Sequence, residues 1–150
     1  MNLRIPGPIP VPDDILEAMA QPMINHRGPE FKDLLFRVTD RLKRVFETES
    51  DVYVLTGSGT GAMEAAIINT LSPGDKVLDI GCGWGGMALY LARHYDVEVV
   101  GLTLSDDQYG HAVKRAEALG LSHRVTFAKQ DYRDHRGAYD AIVSVGMFEH

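Results

Sequence analysis

Apolar positions in this chain follow two different rhythms. Phe31, Leu34, Leu35, Val38, Leu42, Val45 and Phe46 recur at helical spacing and form one apolar stripe, with Lys32, Arg37, Arg41 and Lys43 elsewhere on the same helix. From Lys76 onward, short apolar runs alternate with helical stretches. Lys76-Val77-Leu78-Asp79-Ile80 reads as a buried strand, followed by a glycine loop from Gly81 to Gly86 and a helix to about His94. Val97 to Leu102 is a second strand. Ser105 and Gln108 sign a capping box for a helix that Gly120 closes. Arg124 to Lys129 is a third strand and Asp140 to Val145 a fourth. Strands alternating with helices of this length predict a parallel sheet with right-handed crossovers.

The front of the chain lacks that regularity. Pro6, Pro8, Pro10 and Pro12 keep the opening extended and out of the middle of any sheet. Asp13 caps a short helix to about Ala20, which Pro22 ends. Val52 to Leu55 reads as a short strand, and Ala62 to about Asn69 as a small-residue helix after Gly57-Ser58-Gly59-Thr60-Gly61. Pro73-Gly74-Asp75 forms a turn.

Composition narrows the class without naming it. At 150 residues, 45% hydrophobic and 24% charged, the chain suits one globular domain or two incomplete ones. The net charge of −6 is not concentrated in a block, and an acidic chain without a basic stripe disfavours nucleic acid as partner. A single cysteine, Cys82, excludes an internal disulfide and a multi-cysteine zinc site. His94, His111, His123, His135 and His150 show no ligand spacing, so no metal is expected. No apolar run approaches the roughly 20 residues that span a bilayer, and no signal-peptide pattern opens the chain, so a cytoplasmic location is expected.

Gly81-Cys82-Gly83-Trp84-Gly85-Gly86 satisfies GxGxxG between a strand and a helix, the pattern of a nucleotide-binding turn. A nicotinamide site wants an acidic residue ending the second strand, where it would hold the ribose hydroxyls. Here Val99 to Ser105 carries no carboxylate, and the acid, Asp79, stands before the first glycine. Dinucleotide binding loses ground. Cys82 reads as a packing residue, and Trp84 is divided between core and site.

Asp79-Ile80-Gly81-Cys82-Gly83-Trp84-Gly85-Gly86 resembles motif I of S-adenosylmethionine-dependent methyltransferases. Gly101-Leu102-Thr103-Leu104-Ser105 with Gln108, Gln130-Asp131-Tyr132, and Ile142 through Gly146-Met147-Phe148-Glu149-His150 narrow the likeness. Together they resemble the cyclopropane-fatty-acyl-phospholipid synthase and mycolic-acid methyltransferase family over about half of the chain. The resemblance implies an α/β fold, a Rossmann-like parallel sheet of which these are the first four strands, with S-adenosylmethionine as cofactor. Asp79 and the run Gly81, Cys82, Gly83, Trp84 and Gly85 would serve that cofactor, the backbone around Gly81, Gly83 and Trp84 passing close to its methionine part. Thr103, Leu104, Ser105 and Gln108 would lie around the ribose, and Asp131 and Tyr132 would flank the adenine. Glu149 would be the catalytic carboxylate on the bicarbonate side, and the substrate an unsaturated acyl lipid.

The front half resembles something else. Pro6-Gly7-Pro8, Asn25 to Phe31 and Thr56-Gly57-Ser58-Gly59-Thr60-Gly61-Ala62-Met63-Glu64-Ala65-Ala66 are similar to the N-terminal portion of class V aminotransferases of the alanine–glyoxylate type. That likeness implies an α-rich aminotransferase-like segment over residues 1–74 before a methyltransferase-like domain over 75–150. Under it, Ser58, Gly59 and Thr60 would hold the phosphate of pyridoxal phosphate, although Ser58 or Thr60 serving as a simple helix cap explains them equally. None of the five lysines matches a Schiff-base position. Leu71 to Leu78 fits both families, so the chain reads as a chimera joined there. Three functions stand side by side: an S-adenosylmethionine-dependent transferase piece, a pyridoxal-phosphate aminotransferase piece, and a catalytically silent binding domain. The fourth strand is expected to present an open edge, leaving self-association open along with peripheral contact with a lipid surface.

Overall fold

The computed structural model describes residues 10–147. The prolines and glycine at Pro6, Gly7 and Pro8, and the terminal Phe148, Glu149 and His150, lie outside the described residues. The chain divides into two compact units, one up to Thr56 and one from Gly57.

The first unit is helical. Helix α1 spans Asp13–Met19, and α2 spans Pro29–Val45 with its proline at the first turn, where the missing N–H costs nothing. The apolar stripe read from the sequence lies along α2 to its C-cap Phe46, but none of its residues is buried, and Val45 and Phe46 are well exposed. The strand expected at Val52–Leu55 does not form. Residues 51–58 run without regular structure, and Tyr53, Val54 and Leu55 are exposed. Three apolar residues have no ladder partner among the described residues, and without one an extended segment gains neither hydrogen bonds nor a covered face.

The second unit opens with α3, Gly59–Thr70, which starts three residues before its expected first residue. Ser58 explains the shift: its Oγ accepts the Gly61 N–H at 3.1 Å, so the glycines after it become the first turn. Strand β1 (Lys76–Ile80), α4 (Gly86–His94), β2 (Glu98–Thr103), α5 (Asp106–Ala118), β3 (Val125–Lys129) and β4 (Ala141–Ser144) then alternate as the pattern predicts. All pairings are parallel and the strand order is β3-β2-β1-β4. The fold is thus α/β with a four-stranded parallel sheet. Among the described residues β4 pairs only with β1, which leaves it at an edge with Ile142 exposed.

Side chains alternate along each strand, so Val77, Val99, Val125 and Phe127 share one core with Ala88, Leu89, Leu91 and Ala92 of α4 and with Ala112 and Ala116 of α5. Small residues on the helices let them approach closely. Gly101 in β2 is required for the same reason: a Cβ there would lie 2.7 Å from the Phe127 ring. Ile67 brings α3 into this core, with Leu71 packed against it.

Candidate functional site

The chain runs outward from β1 to β2 and β3, then returns to the other side of β1 for β4. That reversal places a crevice beyond the carboxyl ends of the strands. A cleft of about 440 Å³ occupies it, lined from all four strand ends: Ile80 and Gly81 at the end of β1, Leu102 to Ser105 at the end of β2, Gln130 to Arg133 after β3, and Gly146 with Met147 after β4. Gly83 and Gln108 complete the wall.

The glycine loop forms its floor. Gly83 has φ +54° and no protein atom within 4 Å of where a Cβ would stand, so its backbone is bare toward open space. Gly85, with φ +77°, is needed on the inner side instead, since a Cβ there would meet Phe127 at 2.7 Å and Ala112 at 2.9 Å. Two contacts hold the loop from outside. Cys82 N–H donates to Leu102 O at 2.8 Å, and Arg115 Nη1 donates to Trp84 O at 3.1 Å.

The expected cofactor residues separate into two groups. Gly81, Gly83, Thr103, Leu104, Ser105, Gln108, Asp131 and Tyr132 converge on the cleft. Asp79, Cys82, Trp84 and Gly85 do not line it. Asp79 is only 2% exposed, and its Oδ2 has no hydrogen-bond partner. Burial pushes its carboxyl up to about 6, against a backbone hydrogen bond from Ala88 that lowers it. Cys82 is buried as well, and burial, then the nearby Asp79 charge, push its thiol up to about 12. The packing role expected for Cys82 is the one its surroundings support. Trp84 is half exposed on the outer side of the loop, its ring edge-on to His111 at 5.3 Å.

The rim after β2 is a small hydrogen-bonded cluster. Thr103 is buried, and its hydroxyl donates to Gln108 Oε1 at 2.7 Å while accepting the Ser105 N–H at 3.3 Å. Ser105 Oγ accepts the Gln108 N–H at 3.3 Å. Only half of the expected capping box is therefore made: the Gln108 side chain turns to Thr103 instead of back to Ser105. With its carbonyl oxygen engaged, Gln108 retains an NH2 group for a ligand.

Across the cleft, Arg133 grips Asp131. Its Nε donates to both carboxylate oxygens at 3.0 and 3.1 Å, its Nη2 donates to Oδ2, and the Arg133 backbone N–H adds a fourth bond at 2.9 Å. The guanidinium bonds first, then the backbone bond, hold the Asp131 carboxyl down at about 2. The sequence reading missed Arg133, although an arginine two residues after a turn aspartate is the spacing that permits this grip. It also missed Ile80, Leu102, Gly146 and Met147, which are apolar or backbone neighbours with no chemical signature. Gln130 stood in the quoted motif without a role, yet it lines the wall.

Ser58 and Thr60 stand at the start of α3. Ser58 spends its hydroxyl as the helix cap, and Thr60 lines a separate groove of about 280 Å³ with Met63, Glu64, Ile67, Met87 and Tyr90. Among the described residues no group of three or more His, Cys, Asp or Glu is placed to hold a metal, and no helix is long and apolar enough to cross a membrane.

Comparison with known proteins places this geometry. The family described as mycolic acid cyclopropane synthetase matches residues 64–150. The cyclopropane-fatty-acyl-phospholipid synthase of Escherichia coli K12 is 58% identical over 80 residues, 53% of this chain and 20% of that protein. An uncharacterized aminotransferase of Methanocaldococcus jannaschii is 45% identical over 101 residues, 67% of this chain and 26% of that protein. The chain therefore spans only a fifth to a quarter of the length of these relatives. The two matches together exceed the chain length of 150 residues, so they share a stretch of sequence. Among solved structures, the cyclopropane synthase MmaA2 from Mycobacterium tuberculosis superposes with a TM-score of 0.56 at 34% identity, covering 68% of this chain and 36% of that one. A methyltransferase from Thiobacillus denitrificans in complex with S-adenosyl-L-homocysteine gives 0.52 at 29% identity, covering 71% and 43%.

Proposed function

Because this chain belongs to the mycolic acid cyclopropane synthetase family, we propose that its cleft binds S-adenosylmethionine and serves one-carbon transfer to an unsaturated acyl lipid. The observation that carries the reading is the pairing of a bare Gly83 floor with a carboxylate-free rim after β2. A nicotinamide nucleotide needs an acid there to accept its ribose hydroxyls, and this rim offers Thr103, Ser105 and the Gln108 NH2 instead.

The remaining residues fit a cationic nucleoside amino acid. Asp79 lies next to the glycine loop in sequence, buried with one oxygen unpartnered, and a positive charge bound nearby would favour its ionised form. Leu104 and Tyr132, both well exposed at the mouth, offer apolar and aromatic surface to a purine. When bound, the sulfonium supplies an electrophilic methyl group. The protein's part is to orient that group and to exclude water from the cation formed as the acyl double bond attacks. By its resemblance to the family motif, Glu149 is proposed to stand on the bicarbonate side of that reaction; it lies outside the described residues.

Isothermal titration separates the candidates. S-adenosylhomocysteine should release heat at one site per chain, and NAD should release none. Heat from NAD with none from the nucleoside would remove the reading. Transfer itself is read by incubating the chain with labelled S-adenosylmethionine and vesicles of an unsaturated phospholipid, where label should enter a cyclopropane-bearing acyl chain.

The aminotransferase relative favours a second reading for the front of the chain, a class V segment, although its match of 101 residues is too long to end at Leu71–Leu78 and so runs on into the methyltransferase-like part. In that reading Ser58, Gly59 and Thr60 derive from a pyridoxal-phosphate cup. The Ser58 hydroxyl already caps α3, so a phosphate would have to displace its bond to Gly61. Binding of pyridoxal phosphate that is lost in Ser58→Ala would establish that the cup works; no binding would reduce this segment to scaffold.

A further inference from the structure

The loop between β3 and β4 holds a side-chain relay that the proposed function does not use. Gln130, His135 and Tyr139 are joined in line: Gln130 Oε1 lies 2.9 Å from His135 Nδ1, and the Tyr139 hydroxyl lies 2.6 Å from His135 Nε2. A carbonyl oxygen only accepts, so Nδ1 carries the hydrogen and donates it to Gln130. Nε2 is then the acceptor for the Tyr139 phenol. The ring of Tyr139 lies against Gly137, where a Cβ would stand 2.8 Å from it. At the other end, the Gln130 N–H donates to Thr103 O at 3.1 Å, which ties its backbone to the tip of β2.

The consequence lies in the cleft. Gln130 is part of the wall, beside Asp131 and Tyr132. A primary amide has two faces of nearly equal shape and opposite polarity, and whichever end a neighbour claims leaves the other for the ligand. His135 claims the oxygen, so the NH2 remains. We propose that His135 is a positioning residue that sets the orientation of the Gln130 amide, so that the cleft presents a donor to a ring nitrogen of the cofactor's purine. Resting on the cofactor reading above, the inference adds how the base is read. With His135 unable to donate, the amide is free to turn, and a carbonyl facing a ring nitrogen would repel it.

The test measures titration of S-adenosylhomocysteine against its 1-deaza, 3-deaza and 7-deaza analogues, in which one ring nitrogen at a time becomes C–H. On the parent chain one of the three should bind about tenfold more weakly than S-adenosylhomocysteine, the worth of one hydrogen bond together with its unpaired donor. That ratio should fall to near one in His135→Leu and in Gln130→Leu. It should persist in His135→Asn, whose side-chain NH2 replaces the Nδ1–H. Because each ratio is taken on one protein sample, partial unfolding of a variant cancels. A ratio undiminished in His135→Leu, or no weakened analogue on the parent, overturns the inference. A parent chain that binds none of the four compounds overturns the cofactor reading instead.

Discussion

Gly83 and Gly85 sit two residues apart in one loop, both with positive φ, and should respond in opposite ways to the same added methyl group. At Gly85, alanine meets the left-handed strain of about 1–2 kcal/mol for a side chain at that φ. It also drives a Cβ to within 2.7 Å of Phe127 and 2.9 Å of Ala112, both buried, and such overpacking adds about 1–3 kcal/mol. The smaller entropy of the unfolded alanine chain offsets about 0.4–1 kcal/mol, leaving a net loss of about 2–4 kcal/mol. At Gly83 only the φ strain applies, because nothing lies within 4 Å. The net stability loss should be about 0–1 kcal/mol. The ligand suffers instead, since the methyl group projects where it approaches the backbone, and affinity should fall about tenfold to a hundredfold. Urea denaturation gives the stability of each variant, and calorimetry with S-adenosylhomocysteine gives the affinity of Gly83→Ala. Equal stability losses at the two sites, or unchanged affinity in Gly83→Ala, would show that the floor of the cleft has been misassigned.

Asp79 offers a pH test. Its carboxyl is raised from 3.8 to about 6, so the folded protein keeps that proton longer than the unfolded chain does. The cost of the buried charge is absent below pH 3.8, grows between 3.8 and 6, and is constant above, at about 3 kcal/mol. Asp79→Asn without ligand should therefore be more stable than the parent by up to about 3 kcal/mol in urea denaturation at pH 7.5, and equal to it near pH 3.5. Cys82, with its thiol pushed up to about 12 in a buried site, should resist a disulfide reagent at pH 7.5 in the native protein and react on unfolding. Arg115→Ala removes the donor on Trp84 O and should weaken S-adenosylhomocysteine about threefold to tenfold while costing about 1 kcal/mol or less of stability. Trp84 is the only tryptophan, so its fluorescence reads the loop directly and should shift in the same variant.

The sheet was legible because its signals are local. Each strand is a short apolar-rich run, α5 has a capping serine and a glycine stop, and the glycine loop falls between β1 and α4. The cleft residues after β2 were legible for a similar reason, as they stand in one short run from Thr103 to Gln108. Three features were not. The Val52–Leu55 run has strand composition, but a strand exists only with a neighbour, and pairing is not written in the run itself. The α2 stripe has the periodicity of a buried face, yet periodicity says nothing about whether a surface is there to meet it. The local Arg133–Asp131 spacing was simply overlooked, whereas Gln130 escaped because its role depends on His135, brought to it by the turns of the β3–β4 loop. The same holds for the inner and outer sides of the glycine loop. The motif assigned Gly83 to the ligand, but spacing alone gave no means of assigning Gly85 to Phe127.

The placement of α3 shows how little the sheet demands of the chain that precedes it. Ile67 enters the core, Leu71 packs against it, and the other α3 residues are outside the core. What the sheet requires of this helix is apolar volume at one or two positions. Cores accept such substitutions when size and polarity are kept. The cleft tolerates no such exchange, because its donors must stand within hydrogen-bond reach of particular ligand atoms. The packing of α3 therefore constrains its sequence only weakly, whereas the loops after β1, β2 and β3 must keep the residues that a ligand reaches. The division of the compact units falls on the far side of α3, between Thr56 and Gly57, where no core residue has yet been contributed. A chain cut at that point and beginning at Gly57 should retain the cleft and its affinity, and one beginning at Asp75 should lose the cover that Ile67 provides.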